Sequence, residues 1–299
     1  MISQDNKKRL IFFLRACVSA AILFYLISIP DWKVLVSLEL KSYLNITIGI
    51  MLSLIALMIM SLRWRLLLSV HMKVNFPYLD AYRGYLMGLF YNIFMPGAIG
   101  GDLYRIKHSR DICAISIKNA TIVVATERIF GAVALTALLL LGVSLGGSGF
   151  ILGNTNVEHK YIIVGCFIIV LMALPLIWKK LELRYIDAVK IFLLSLVSQS
   201  IELIIAGFIL HIMVPEAEIY WILVAMPLAY FATVLPISIG GLGVREGVLV
   251  SVFFMFGIAI EDAIIVSILI YIVKVIAGVL GYVLVKMFPG KNTLVKSNV

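Results

Sequence analysis

Apolar runs at residues 10–29, 43–62, 120–145, 161–178, 190–213 and 263–286 each approach the length a helix needs to cross a bilayer. A hydrocarbon core about 30 Å thick takes about 20 residues at 1.5 Å rise, and lipid offers no partner to unpaired backbone groups. The chain therefore has to fold as membrane helices. With 63% hydrophobic and only 14% charged residues and a mean hydropathy of +1.10, a soluble enzyme, a DNA-binding domain and a disordered tail are excluded. A net charge of +9 in such a chain marks cytoplasmic loops facing anionic lipid, so no nucleic-acid partner is expected. Cys17, Cys113 and Cys166 are an odd, scattered set with no disulfide framework and no metal-ligand spacing, and no metal or cofactor is expected. Lys7, Lys8 and Arg9 precede the first run as in a secretory signal, but no small-residue cleavage site appears before Pro30. The run 10–29 reads as an uncleaved first helix.

Two further apolar stretches, 84–101 and 219–260, are interrupted by glycine-rich turns. Lys and Arg in short loops stay cytoplasmic, and this rule threads both stretches. Arg63, Arg65, Lys73 and Arg83 precede the first; Arg105, Lys107, Arg110 and Lys118 follow it. A re-entrant hairpin that dips in and returns keeps both clusters inside. Around the second stretch lie Glu216, Glu218, Glu261 and Asp262 with no Lys or Arg, so it enters and leaves from outside. Only Lys33, Lys41 and Lys160 then fall outside, with Arg128, Arg245 and Lys274 at membrane depth. Both termini are expected in the cytoplasm and the chain in the cytoplasmic membrane.

The sequence also repeats itself. Met95-Pro96-Gly97-Ala98-Ile99-Gly100-Gly101-Asp102-Leu103-Tyr104-Arg105 aligns without gaps with Leu235-Pro236-Ile237-Ser238-Ile239-Gly240-Gly241-Leu242-Gly243-Val244-Arg245. Pro, Ile, both Gly and Arg match in register. Because the copies enter from opposite sides, the repeats, about 43–145 and 190–286, are expected to have inverted topology. The expected fold is an all-α integral membrane protein, a single domain over 1–299. It comprises six transmembrane helices plus two re-entrant helical hairpins.

Proline removes a donor and glycine tolerates backbone angles other residues avoid, so each string breaks a membrane helix. Such a break survives only where protein or water covers it. Backbone N–H groups at the following half-helix, with an arginine four residues after the Gly pair, suit a phosphate. Gly100, Gly101 and Arg105 from one side and Gly240, Gly241 and Arg245 from the other are the expected anion pocket; tight helix packing is the competing role for the glycines. Glu127, Arg128, Glu202, Glu246 and Lys274 are ionisable groups at depth that need partners, and they complete the candidate site with Asp102. Glu127 and Arg128 are adjacent and share no helix face, so they are expected to serve different partners. Most Phe, Tyr and Trp are expected in lipid contacts and interfacial belts.

Ile99-Gly100-Gly101-Asp102 resembles the Gly-x-Gly-Asp of intramembrane aspartyl proteases but fails at its first position, and no second aspartate lies in another span. Ser238 has no evident histidine partner. No catalytic residue is assigned.

The chain resembles the flippase-like membrane family related to the transmembrane region of lysylphosphatidylglycerol synthase. The resemblance rests on Asn92 to Arg105, on Thr126-Glu127-Arg128-Ile129-Phe130-Gly131, and on Leu235 to Gly247. It implies movement of polar-headgroup lipids, aminoacyl-phospholipid or polyprenyl-phosphate-linked lipid, with Arg105, Glu127, Arg128, Arg245 and Glu246 at the headgroup. The soluble aminoacyl-transfer domain of the bifunctional synthases is not expected, so synthase activity is not implied. The chain departs from relatives around Ile272 to Lys274, where they often carry an arginine. The expected function is a lipid flippase rather than an enzyme. A membrane-embedded lipid-phosphate transferase or hydrolase and a small-solute or ion transporter are the alternatives. Glu127, Glu202 and Lys274 are the candidates for coupling a proton, and a lipid- or glycan-synthesis enzyme is the candidate partner. No nucleotide-binding loop is present, so direct ATP drive is not expected.

Overall fold

The computed structural model describes residues 24–25, 28–33, 40–95, 99–147, 183–234 and 243–288. The expected span 161–178 lies outside the described residues, as does 10–29 apart from Phe24, Tyr25, Ser28 and Ile29. Every element among the described residues is helical: α1 (Leu40–His71), α2 (Tyr78–Phe94), α3 (Gly100–Cys113), α4 (Ile117–Gly142, continued by a π turn), α5 (Tyr185–Met213), α6 (Ile219–Val234), α7 (Val244–Met255) and α8 (Ile260–Met287). Among the described residues, four segments are long and apolar enough to cross a membrane: Ser42–His71, Ile117–Gly146, Tyr185–Met213 and Ile260–Met287.

Helix α1 displays lipid logic. Leu44, Ile48, Met51, Ile55, Met58 and Leu62 recur every three to four residues and are all exposed, while Ser53, Ala56 and Ser61 are buried. In lipid the apolar stripe is already solvated, and small residues on the other face let helices approach closely. The small face packs along α5, with Gly49 beside Ile205 and Val273. The helix also outruns the expected 43–62 segment. No Gly or Pro intervenes between Gly49 and Pro77, so nothing stops it before His71. Arg63 and Arg65 are therefore helical rather than loop residues, and Arg63 is buried.

Each interrupted stretch has one helix before the proline of its repeated string and one after that proline, but the second helix of the first stretch runs on to Cys113, through Arg105, Lys107 and Arg110, which were expected beyond the 84–101 hairpin. Helix α2 ends at Phe94 and α3 begins at Gly100; α6 ends at Val234 and α7 begins at Val244. In each case the two helices pack against one another. Gly243 starts α7 at φ +83°, where a side chain is strained, and its N–H donates to the Glu246 carboxylate at 2.8 Å.

At the first break the glycines serve close packing. The Gly101 N–H, expected to face an anion, donates to Asn92 Oδ1 at 2.6 Å. A Cβ on Gly101 would lie 2.5 Å from the Gly88 carbonyl oxygen, and one on Gly100 would lie 2.6 Å from Met95 Cβ. Gly240 and Gly241 lie outside the described residues. Gly101→Ala is expected to cost about 1–3 kcal/mol by forcing α2 and α3 apart. Gly207→Ala, where an added Cβ meets nothing within 4 Å, should instead be neutral or stabilising by about 0.5–1 kcal/mol. Thermal unfolding of both variants in detergent checks the contrast.

The helix packing has a two-part order. Within the first half α1 packs on α2, α2 on α3, α3 on α4 and α1 on α4; within the second, α5 packs on α6, α6 on α7, α7 on α8 and α5 on α8. Across the halves α4 meets α5 and α6 just as α8 meets α1 and α2, and α1 meets α5. Exchanging α1–α4 with α5–α8 leaves this set of pairs unchanged. The crossings use the same device: Gly142 on α4 admits Leu223 of α6, and Gly281 on α8 admits Leu86 of α2.

Candidate functional site

The first half buries a carboxylate among cations. Glu127 on α4 is 1% exposed and accepts from Arg63 Nε at 3.1 Å and Nη2 at 3.0 Å, from Arg105 Nη1 at 2.5 Å and from the Tyr85 hydroxyl. Burying an unpaired carboxylate costs several kcal/mol, and this ring of donors offsets that cost. The ring draws one residue from each helix: Arg63 from α1, Tyr85 from α2 and Arg105 from α3. Arg63 Nη1 also donates to Ser195 Oγ on α5 at 2.9 Å, tying the ring to the other half.

Arg105 lies with its guanidinium 4.4 Å from the Tyr85 ring centroid and 5.5 Å from that of Trp64, a stacked placement favoured by the ring quadrupole. Its Nη2 donates to Asp102 Oδ1 at 2.6 Å, and Asp102 Oδ2 accepts from Arg128 Nε. Among the described residues, three guanidinium groups thus face two carboxylates. His108, outside the four candidate spans, donates from Nε2 to the Asp80 carbonyl at 2.9 Å, and burial pushes its pKa down.

The second half holds a smaller network with reversed polarity. Lys274 Nζ on α8 lies 2.8 Å from Glu202 Oε2 on α5 and donates to the Tyr230 hydroxyl on α6 at 2.5 Å; that hydroxyl donates to Glu202 at 2.9 Å. On α7 Arg245 pairs with Glu246 and stacks 5.1 Å from the Tyr271 ring centroid. Each half therefore places an ionic residue on its first helix, a tyrosine hydroxyl on its second, a stacked arginine on its third and the opposite charge on its fourth. The acid sits on the fourth helix of the first half, where it is buried, and on the first helix of the second, where it is 11% exposed.

Between the networks lies a hollow of about 510 Å³. Arg63, Tyr85, Asp102, Arg105, Glu127 and Arg128 line it from one half and Gln199, Glu202, Tyr230 and Lys274 from the other, with Leu57, Met60, Leu89 and Leu135 among its apolar walls. Arg128 is the most accessible of these charges, its side chain 45% exposed against 20% for Lys274 and 8% for Arg105.

Of the residues singled out in the sequence, Asp102, Arg105, Glu127, Arg128, Glu202, Lys274 and Gly101 meet at this hollow. Glu127 and Arg128 serve different partners, as adjacency on a helix requires. Gly100, Arg245 and Glu246 are not among the described lining residues. Arg245 interacts electrostatically with Glu202 and Lys274 of the second network. Glu246, fully buried, is its counter-ion and the acceptor at the start of α7.

Sequence reasoning missed Arg63, Tyr85 and Tyr230. The unbroken run up to Pro77 was the available signal for Arg63, because it places that residue in a helix. Trp64 and Phe76 are completely buried and meet edge to face at 5.0 Å beneath Arg105, so these aromatics belong to the protein interior and not to an interfacial belt.

Comparison with known proteins gives one family. The family model described as the lysylphosphatidylglycerol synthase TM region matches residues 12–184 and 176–281. No curated protein matches the chain.

Proposed function

The chain belongs to the family of the lysylphosphatidylglycerol synthase transmembrane region, and from that premise we propose that it is a flippase for a lipid with a phosphate-bearing polar headgroup. A multi-pass membrane protein with a lipid-related role is the common ground of that family. The observation that carries the finer reading is the shared hollow, a polar chamber flanked by membrane helices in which both halves present charged side chains.

The headgroup enters the hollow and the acyl or prenyl tails stay in lipid, which avoids moving them through water. Arg128 and Arg105 attract the phosphate from α4 and α3, and Lys274 meets it from the opposite wall. Arg245 acts by contributing to the field around Glu202 and Lys274. Glu202, Lys274 and Tyr230 form the network best suited to couple a proton, since Glu127 is already saturated by donors.

Helices α2, α3, α6 and α7 have 17, 14, 16 and 12 residues, so each is shorter than the about 20 residues a crossing takes. Paired and packed on one another, they fit two re-entrant hairpins between six spans, with both termini in the cytoplasm. The exchangeable packing order supports two inverted repeats, about 43–145 and 190–286, that rock against each other for alternating access.

Proteoliposomes containing the chain are expected to expose a fluorescent short-chain phosphatidylglycerol to an external quencher faster than empty vesicles do. Equal rates reject the proposal. Release or transfer of the labelled headgroup would instead identify an enzyme, and ion uptake without lipid movement a solute transporter. Arg128→Ala should slow exposure of the labelled lipid with little loss of thermal stability, because its side chain is 45% exposed.

A further inference from the structure

A carboxylate already occupies the place between two arginines that an incoming phosphate needs. Asp102 accepts from Arg105 Nη2 at 2.6 Å through one oxygen and from Arg128 Nε through the other. One acidic group thus bridges guanidinium forks from α3 and α4, the arrangement such forks also make with a phosphate oxyanion. All three residues border the hollow. Asp102 is 14% exposed and Arg128 45%, so the bridge is open to an anion arriving from the chamber. Glu127, at 1% exposure and ringed by donors from three helices, is not displaceable in this way.

The helix break itself does not call for an acid at this position. In the aligned copy Leu242 stands where Asp102 stands, and Arg245 takes its carboxylate from Glu246 instead. Asp102 is thus an addition peculiar to the half whose bridge faces the chamber.

We propose that Asp102 is a built-in competitor for the substrate's phosphate group. The headgroup phosphate displaces it from Arg105 and Arg128, and its return expels the headgroup. This rests on the flippase reading above and adds the release step to it. A phosphodiester monoanion replaces the carboxylate charge for charge, so both arginines stay compensated before and after the exchange. Passage through a site requires binding strong enough to enter and weak enough to leave, and an internal rival anion supplies the second condition.

The test is titration calorimetry on the full chain in detergent, with inorganic phosphate and dioctanoyl phosphatidylglycerol as separate probes. Asp102→Asn keeps the shape and removes the charge, and it should tighten binding by about tenfold or more, since like charges at one site repel strongly. Asp102→Glu should stay near the wild-type affinity. In vesicles the Asn variant should move lipid more slowly although it binds more tightly, an outcome a merely structural aspartate would not produce. Should Asp102→Asn not fold, Asp102→Leu, matching the aligned copy, gives the same readout; failure of both to fold overturns the proposal. Unchanged or weaker binding in a folded Asn variant also overturns it and leaves the flippase reading intact if the wild type still moves lipid. Tightening for inorganic phosphate alone supports displacement of Asp102 while removing lipid as the ligand. Tightening for the lipid supports both.

Discussion

Glu127→Ala is expected to lower the thermal midpoint by about 10 °C and to abolish lipid movement. Removing this carboxylate leaves Arg63, 5% exposed, without its acid, and leaves Arg105, 7% exposed, with Asp102 alone. Breaking one side of a buried ion pair costs about 3–5 kcal/mol, because the remaining charge stays out of water uncompensated. In a chain of this size each kcal/mol moves the midpoint by about 2–4 °C. Adding Arg63→Met to the Glu127→Ala background should recover part of the loss, since it removes one of the stranded charges. A single variant within 2 °C of wild type would show that the donor ring around Glu127 does not support the fold as described.

Lys274→Met is expected to stop lipid movement and to cost about 2–4 kcal/mol, since among the described residues Glu202 keeps only the Tyr230 hydroxyl as a close donor. The estimate sits below that for Glu127 because Lys274 is 20% exposed. The double variant Glu202→Gln/Lys274→Met removes both charges and should recover wild-type stability or exceed it, as neutral replacement of a buried pair often does. Lipid movement should stay lost in that protein. Stability measured by thermal unfolding and movement measured in vesicles then separate what the pair does for the fold from what it does for transport. If the double variant moves lipid at the wild-type rate, the second network has no part in the activity.

Much of the helical framework was legible because membrane crossing imposes a length and a polarity that few other demands share. The runs 120–145, 190–213 and 263–286 nearly coincide with helical segments long and apolar enough to cross a membrane, Ile117–Gly146, Tyr185–Met213 and Ile260–Met287. Pro96 and the glycines after it marked the first break because their effect is local to the backbone. Arg63 was misread because the loop-charge rule treats a basic residue at the end of an apolar run as a loop residue, whereas here a carboxylate supplied by a different helix keeps it buried. Tyr85 and Tyr230 carry no signal of their own, since a tyrosine at an interface and one that donates to a buried acid read alike. Which acid meets which base also depends on helix crossings. Lys274 finds Glu202 on the preceding span and not Glu246, which is nearer in sequence. Gly101 illustrates the same limit, because its neighbour Gly88 becomes a neighbour only when α2 and α3 lie side by side.

The opposed placement of acid and base in the two halves has an electrical consequence. Halves that match in helix order but not in charge give the molecule no electrical mirror, so the proposed rocking of one past the other would carry unequal charge along the bilayer normal. A full elementary charge taken through the field shifts the balance by about 2.3 kcal/mol per 100 mV. In the proposed rocking, a voltage across the membrane would therefore bias which way the chamber rests open.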